Sequence, residues 1–287
     1  MGERGILLLG MNGQIGRQLE GMLDAARLVA LGRSELDLAD GAAIRRVLRQ
    51  LRPSVIVNAA AYTAVDRAET EEAAARAVNA TAPGILAEEA SRLDALLVHY
   101  STDYVFDGRQ RRPYVEDDPP NPLNAYGRTK LAGERAVQAV NGRHLMLRCS
   151  WVYGPHGHNF LLTILRLARE RAELRVVSDQ VGAPTSALAI ARTTAQLIGR
   201  SPAATGLYHV SAPGATSWYG FARAVLEEQP DKRAERVIPI SSEEYAAPAP
   251  RPAYSVLSND KLMRTFGLAL PDWRTGLKEV LQAITAQ

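Results

Sequence analysis

Four aliphatic residues, Ile6-Leu-Leu-Leu9, run directly into Gly10-Met-Asn-Gly13-Gln-Ile-Gly16, and a helical pattern opens inside that glycine series. A strand that is apolar at every position has no polar side to turn to water, so both of its faces must be covered. Glycines at its end permit a turn too tight for a Cβ atom. The combination excludes a sandwich of half-exposed strands, which would alternate apolar and polar residues. It requires a strand in the middle layer of a stack.

The unit recurs along the first half of the chain. Ile6–Leu9, Leu28–Leu31, Val55–Asn58, Ala95–Tyr100 and His144–Cys149 read as strands, separated by helical patterns near 14–25, 41–51, 71–92 and 125–140. Strand–helix alternation with continuously apolar strands predicts a doubly wound parallel sheet of the Rossmann type, an α/β fold with right-handed connections. Beyond residue 151 the rhythm loosens. Helices are predicted near 158–172, 186–200 and 217–229 and short strands near 174–177, 206–210 and 236–239. Pro/Ala-rich 246–253 reads as a loop before a small helical tail. The expected division is a sheet domain over 1–150 and a smaller α/β lobe over 151–287, with contributions that interleave. Ligands of such sheets bind outside the carboxyl ends of the strands, where a second lobe would enclose them.

Composition narrows the class. The 287 residues, 46% hydrophobic and 23% charged, suit a soluble globular protein, and no apolar run reaches the length of a membrane span. The expectation is a cytoplasmic protein with no membrane partner. Its net charge of +3 is spread along the chain, so a nucleic-acid partner is not expected. Cys149, alone of its kind, cannot form an internal disulfide and reads as buried. No His, Cys, Asp or Glu grouping has ligand spacing, and no metal is expected.

The glycine series after the first strand is one residue longer than G-x-G-x-x-G, but its physical logic is unchanged. Gly10, Gly13 and Gly16 allow a close backbone approach, Gln14 and Ile15 offer main-chain contact, and the helix start attracts a pyrophosphate. After the second strand, Gly32-Arg33-Ser34 stands where an acidic residue would hold an NAD ribose. Arg33 could meet a 2′-phosphate with its planar fork, which favours NADPH, or be an ordinary solvated arginine. Asp37, beside Leu38, could accept from an adenine amine or serve as a turn residue. Small residues around Ala61, before Tyr62 and Thr63, let a flat cofactor pass close to the third strand.

The fourth strand leads to Tyr100-Ser-Thr102-Asp103, and Tyr126 and Lys130 stand one helical turn apart in Asn-Ala-Tyr-Gly-Arg-Thr-Lys. Positions i and i+4 share a helix face. An ammonium beside a phenol is expected to lower the phenol's pKa and ready it to donate a proton to a carbonyl under reduction. Here the chain resembles the extended short-chain dehydrogenase/reductases and, among them, the dTDP-4-dehydrorhamnose reductase family. The resemblance rests on Val-Asn-Ala-Ala-Ala-Tyr-Thr-Ala-Val-Asp, His-Tyr-Ser-Thr-Asp-Tyr-Val-Phe-Asp-Gly, Leu-Asn-Ala-Tyr-Gly-Arg-Thr-Lys, Arg-Cys-Ser-Trp-Val-Tyr-Gly and Asp-Gln-Val-Gly-Ala-Pro-Thr. These motifs fall in the family's order from residue 6 to about 284, and are most specific before 185.

The resemblance implies reduction of the 4-keto group of dTDP-4-dehydro-L-rhamnose to dTDP-L-rhamnose with NADPH, or in some members NADH. It implies Thr102, Tyr126 and Lys130 as catalytic residues. It puts Gly13, Gln14, Ile15, Gly32, Asp37, Leu38, Ala61, Tyr62, Thr63, Tyr100, Tyr126 and Lys130 on the cofactor. Thr102, Asp103 and Trp151 would contact the dTDP-linked sugar, with Asn159 and Arg251 toward its nucleotide end. By itself Trp151 reads as core, and Arg251 equally as a solvated arginine. Asn79 could order the backbone near the site or break a helix. Met11, Asn12 and Val181 depart from the family pattern, and Val181 loosens the match of the second lobe. Two other functions stay open: reduction of a different nucleotide-linked 4-keto sugar, and a non-catalytic NADP-binding regulatory subunit. A homodimer is compatible with the sequence but not fixed by it.

Overall fold

The computed structural model describes residues 5–200, 204–229 and 233–286. Its first half runs β1 (Ile6–Leu9), α1 (Gln14–Glu20), β2 (Leu28–Leu31), α2 (Gly41–Leu51), β3 (Val55–Asn58), α3 (Val65–Ala68), α4 (Glu72–Arg76), α5 (Ala82–Leu93), β4 (Leu96–Thr102), α6 (Ala125–Gln138) and β5 (His144–Cys149). The second half contributes β6 (Val152–Tyr153), α7 (Phe160–Glu170), β7 (Glu173–Val177), β8 (Val181–Gly182), β9 (Thr185–Ser186), α8 (Ala187–Gly199), β10 (Gly206–His209), β11 (Thr216–Ser217), α9 (Trp218–Glu227), β12 (Arg236–Ile240), α10 (Ser242–Tyr245), α11 (Asp260–Phe266) and α12 (Trp273–Thr285).

Six strands form one parallel sheet in the order β10-β5-β4-β3-β1-β2. The two faces of β1 show why it is apolar throughout. Ile6 and Leu8 pack with Leu19 of α1 and Ile190 of α8, while Leu7 and Leu9 pack with Ile44 of α2 and Leu86 of α5. Alternate side chains therefore enter opposite cores, and neither face is left to water. This is the doubly wound sheet that the strand pattern predicts.

The division at residue 150 is not a clean cut in space. The 206–210 segment, placed by its position in the second lobe, becomes β10 and pairs with β5, and α8 packs on α1. The remaining lobe has its own core, where Leu161, Leu165, Phe221, Val225, Trp273 and Leu277 of α7, α9 and α12 meet. A parallel β7–β12 pair flanks that core.

The single helix predicted over 71–92 is broken. Between α4 and α5 the chain widens into a π-helical turn, Ala77–Thr81, that carries Asn79. Pro83 sits in the first turn of α5 and has no N–H, so it could not continue an α-helix from α4 without losing a hydrogen bond. Such turns are frequent at functional sites, and this one faces α6.

Candidate active site

β1, β3, β4 and β5 end on the same edge of the sheet, and the predicted residues gather there. Gly10 adopts φ +81°, and a Cβ on it would lie 2.6 Å from the Ala60 nitrogen. A Cβ on Gly16 would overlap the Gly10 carbonyl. The turn after β1 is thus pressed against the chain leaving β3, with no room for a Cβ at Gly10 or Gly16. Such a bare-backbone turn fits a dinucleotide's diphosphate.

After β2, Arg33 extends into solvent 3.9 Å from Asp37. Asp37 also accepts from the Ala39 N–H at 2.9 Å, so it acts as a turn residue, and Leu38 is buried with the α2/α5 core. Reading the sequence missed Glu35. Its carboxylate folds back to accept from Gly32 N at 2.9 Å and from Ser34 Oγ at 2.7 Å, and these bonds hold its pKa below the usual carboxylate range. An acidic side chain therefore stands at the end of β2 beside Arg33. Its neighbour in sequence, Ser34, was the only hint.

Asn79 is tied to the loop after β3. Its Oδ1 accepts from Tyr62 N at 2.9 Å, and its Nδ2 donates to Tyr62 O at 3.0 Å and to Thr129 Oγ1 at 3.2 Å. It therefore orders backbone, one of the two roles open from sequence. This fixes the Ala61–Thr63 loop against α6. The Tyr62 hydroxyl donates to Glu71 Oε2 at 2.5 Å.

The candidate reacting centre lies where β4 meets α6. Thr102 is the last residue of β4, which runs two residues beyond its predicted end. Asn124 caps α6, accepting from Gly127 N at 2.8 Å and donating to Pro250 O at 2.8 Å. An asparagine just before a helical pattern is a cap signal, and here it aims Tyr126 at β4. The Tyr126 hydroxyl shares a hydrogen bond with the Thr102 side chain, and its ring meets Tyr104 edge-on at 5.8 Å. Lys130, 2% exposed, donates from Nζ to the Tyr100 carbonyl at 2.6 Å. The Tyr100 hydroxyl points the other way, to Thr194 on α8 at 2.7 Å.

One electrostatic expectation is corrected. The Tyr126 pKa is pushed up, not down, because burial of the phenol outweighs its hydrogen bond to Thr102. The Lys130 ammonium gives one of its three N–H groups to a main-chain carbonyl, and burial lowers its own pKa to about 8. Asp103, 2% exposed, accepts from Thr102 Oγ1 and Ser150 Oγ at 3.1 Å each and from Ser255, and burial raises its carboxyl to about 6. It lies behind Thr102. Ser150 had entered only as part of the Arg-Cys-Ser-Trp-Val-Tyr-Gly motif, and Ser255 had carried no signal in the sequence.

The remaining candidates come from the second half. Trp151, at the end of β5, holds φ +45° and lies face to face with Trp218, with centroids 3.4 Å apart and planes within 2°. Gly182 backs the other face of its ring. Asn159 caps α7 through Leu162 N at 3.0 Å and donates to Gln14 Oε1 at 2.9 Å, tying the glycine turn to the second lobe. Arg251 is not a solvated arginine. Its Nη2 contacts both oxygens of Asp66 at 2.9 and 3.0 Å, and it lies close to Tyr104. Among the described residues no group of three or more His, Cys, Asp and Glu side chains is placed to hold a metal, and no helix is long and apolar enough to cross a membrane.

A parallel sheet with a glycine turn at its carboxyl edge, joined there by a hydroxyl, a phenol and an ammonium, defines a Rossmann-type oxidoreductase. The chain belongs to the RmlD substrate binding domain family, whose model matches residues 4–286. It is 47% identical over 283 residues to a dTDP-4-dehydrorhamnose reductase of Burkholderia thailandensis, covering 94% of this chain and 95% of the relative. It is 42% identical over 284 residues to a Streptomyces antibioticus protein named as a probable dTDP-4,6-dihydroxy-2-methyloxan-3-one 4-ketoreductase, covering 98% and 95%. The crystal structure of the Bacillus anthracis dTDP-4-dehydrorhamnose reductase in complex with NADP superposes with a TM-score of 0.93 at 35% identity, covering 98% of this chain and all of that one.

Proposed function

We propose that this protein reduces the 4-keto group of dTDP-4-dehydro-L-rhamnose to the alcohol of dTDP-L-rhamnose, using NADPH and accepting NADH. The observation that supports the reading is Thr102 at the carboxyl end of β4, with Tyr126 and Lys130 one turn apart on α6, the helix that packs on that strand. The names of the relatives, and the NADP held by the Bacillus anthracis protein, support the substrate and the coenzyme.

The bare turn at Gly10, Gly13 and Gly16 would hold the coenzyme's diphosphate, with Arg33 toward a 2′-phosphate and Lys130 toward the nicotinamide ribose. NADPH, when bound, supplies the hydride. Thr102 turns its hydroxyl proton, held by Asp103 in the resting site, to the substrate's ketone oxygen and orients it. Tyr126, kept protonated by burial, gives that oxygen its proton, a contribution of about 10²–10⁴-fold in rate. Lys130 stabilises the phenolate that remains. Asp103 holds Thr102 from behind, and Trp151 contributes to the wall of the sugar site. A cytoplasmic enzyme that takes a dTDP-linked sugar is part of the same reading.

A second substrate is favoured by one observation. The Streptomyces antibioticus relative, 42% identical against 47% for the Burkholderia thailandensis reductase, is named for a different dTDP-linked ketone and covers 98% of this chain. The residues at the ketone would be unchanged, because they see only that oxygen. Following NADPH absorbance with dTDP-4-dehydro-L-rhamnose decides between them. Oxidation at stoichiometric yield supports the first reading. No oxidation with that sugar, but oxidation with another dTDP-4-keto sugar, supports the second. NADPH binding without turnover on either would leave only a regulatory role.

A further inference from the structure

Tyr126, Lys130 and Glu134 follow one another at four-residue intervals along α6, so three consecutive turns present a phenol, an ammonium and a carboxylate on one face. Lysine and glutamate at this spacing ordinarily pair with each other. Here they do not. Both carboxylate oxygens of Glu134 are taken by Arg148 of β5, from Nε at 2.8 Å and from Nη2 at 2.7 Å. The two side chains are 2–3% exposed. The Arg148 guanidinium lies over the Phe106 ring, 5.0 Å from its centroid, and its remaining nitrogen, Nη1, has no hydrogen-bond partner. The fork is thus fixed by Glu134 alone, while Lys130 reaches the Tyr100 carbonyl.

From this geometry we infer that Arg148 is a positioning residue, which withholds Glu134 from Lys130 and so keeps the lysine available to the Tyr126 phenol and the coenzyme. The inference rests on the reductase reading for its purpose, though not for its structural content. A bidentate arginine–carboxylate pair is among the stronger charge-assisted arrangements, and it outcompetes a single ammonium for the same two oxygens. The other titratable groups around Lys130 carry no negative charge that could replace Glu134. His99 of β4 is held neutral by burial and by the lysine's own charge, and burial keeps the thiol of Cys149 on β5 and the phenol of Tyr126 protonated. Glu134 already raises the Lys130 pKa through space while paired to Arg148, and its release would turn that influence into a direct ion pair.

The test exploits the chain's four lysines, whose ¹³Cε resonances separate readily, with Lys130 assigned by its loss in Lys130→Met. In Arg148→Met, Glu134 is free to pair with Lys130, and the Lys130 titration midpoint should rise by about one pH unit or more. In Glu134→Leu/Arg148→Met, an apolar pair of similar volume, no carboxylate remains and the midpoint should stay at or below the native value. The alkaline limb of kcat should move in the same two directions. Equal midpoints in the two variants would overturn the inference, as would failure of both to fold, which would make the pair a scaffold element only. The resonance needs no coenzyme or substrate. An absence of turnover in the native enzyme would count against the reductase reading and leave this measurement standing.

Discussion

Lys130 Nζ lies 2.6 Å from the carbonyl oxygen of Tyr100, two residues before the Thr102 hydroxyl on the same strand. This bond secures α6 to the carboxyl end of β4 and so sets the distance between phenol and hydroxyl. A buried ammonium with one neutral acceptor is poorly compensated, in keeping with its lowered pKa of about 8. Lys130→Met should remove the charge while preserving most of the packing. Turnover should fall by about 10²-fold, within the range for acid–base assistance, and the dissociation constant for NADPH should rise. A variant with unchanged NADPH affinity would remove the lysine from the coenzyme's site.

Tyr126 differs from a phenylalanine only in the atom that bonds Thr102. Its ring contact with Tyr104, edge-on at 5.8 Å, should survive in Tyr126→Phe. Turnover is expected to drop by about 10²–10⁴-fold, with NADPH binding near native. Stopped-flow absorbance with saturating coenzyme separates the two quantities. Near-normal single-turnover rates would assign the proton to another donor.

Asp103 gives a pH signature. Its carboxyl is raised by burial from 3.8 to about 6. Between roughly pH 4 and pH 6 the folded protein therefore binds more protons than the unfolded chain, and this group's contribution to stability falls as pH rises through that window. Above it, the ionised form costs of order 3 kcal/mol. Asp103→Asn removes the cost, and the surrounding hydroxyls can turn to accept from its amide. Urea unfolding at pH 4.5 and 7.5 should show the variant's gain on the native protein larger at the higher pH. Buried His99 and His209 titrate in both proteins and cancel. A pH-independent difference would place the Asp103 pKa in the ordinary range.

What could be read from the chain was what depends on neighbours in sequence. The strand limits at Ile6–Leu9, Leu28–Leu31, Val55–Asn58 and His144–Cys149 coincide with the structure because continuous apolar runs stop at glycine, asparagine or serine. The spacing of Tyr126 and Lys130 was equally legible, since helical periodicity alone puts them on one face. The sign of the phenol's pKa was not. It depends on how deeply α6 lies against β4 and on the Tyr100 carbonyl that claims the lysine, and neither is local. For the same reason nothing local marks Glu134, whose partner Arg148 comes from β5. The long helix over 71–92 failed at Pro83, a breaker in plain view whose consequence, the π turn at Asn79, is set by the close approach of α6 at Gly133.

Trp151 and Trp218 leave a last relationship open to direct test. Two indoles face to face are electrostatically less favourable than offset or edge-on pairs, so other contacts hold this stack. Trp218 donates from Nε1 to Gln180 at 3.2 Å and is flanked by Phe160, with centroids 4.5 Å apart. Gly182 lies against the far face of Trp151, where a Cβ would come within 2.7 Å of three indole atoms. Gly182→Ala should therefore displace the Trp151 ring, which already occupies a left-handed backbone conformation unusual for a bulky residue. Stacked indoles couple excitonically, and the corresponding couplet in the far-ultraviolet circular dichroism should weaken in the variant. If Trp151 walls the sugar site, KM for the keto-sugar should rise more than kcat falls, while NADPH affinity holds. Loss of the couplet with an unchanged KM would show that the sugar does not rest on this ring.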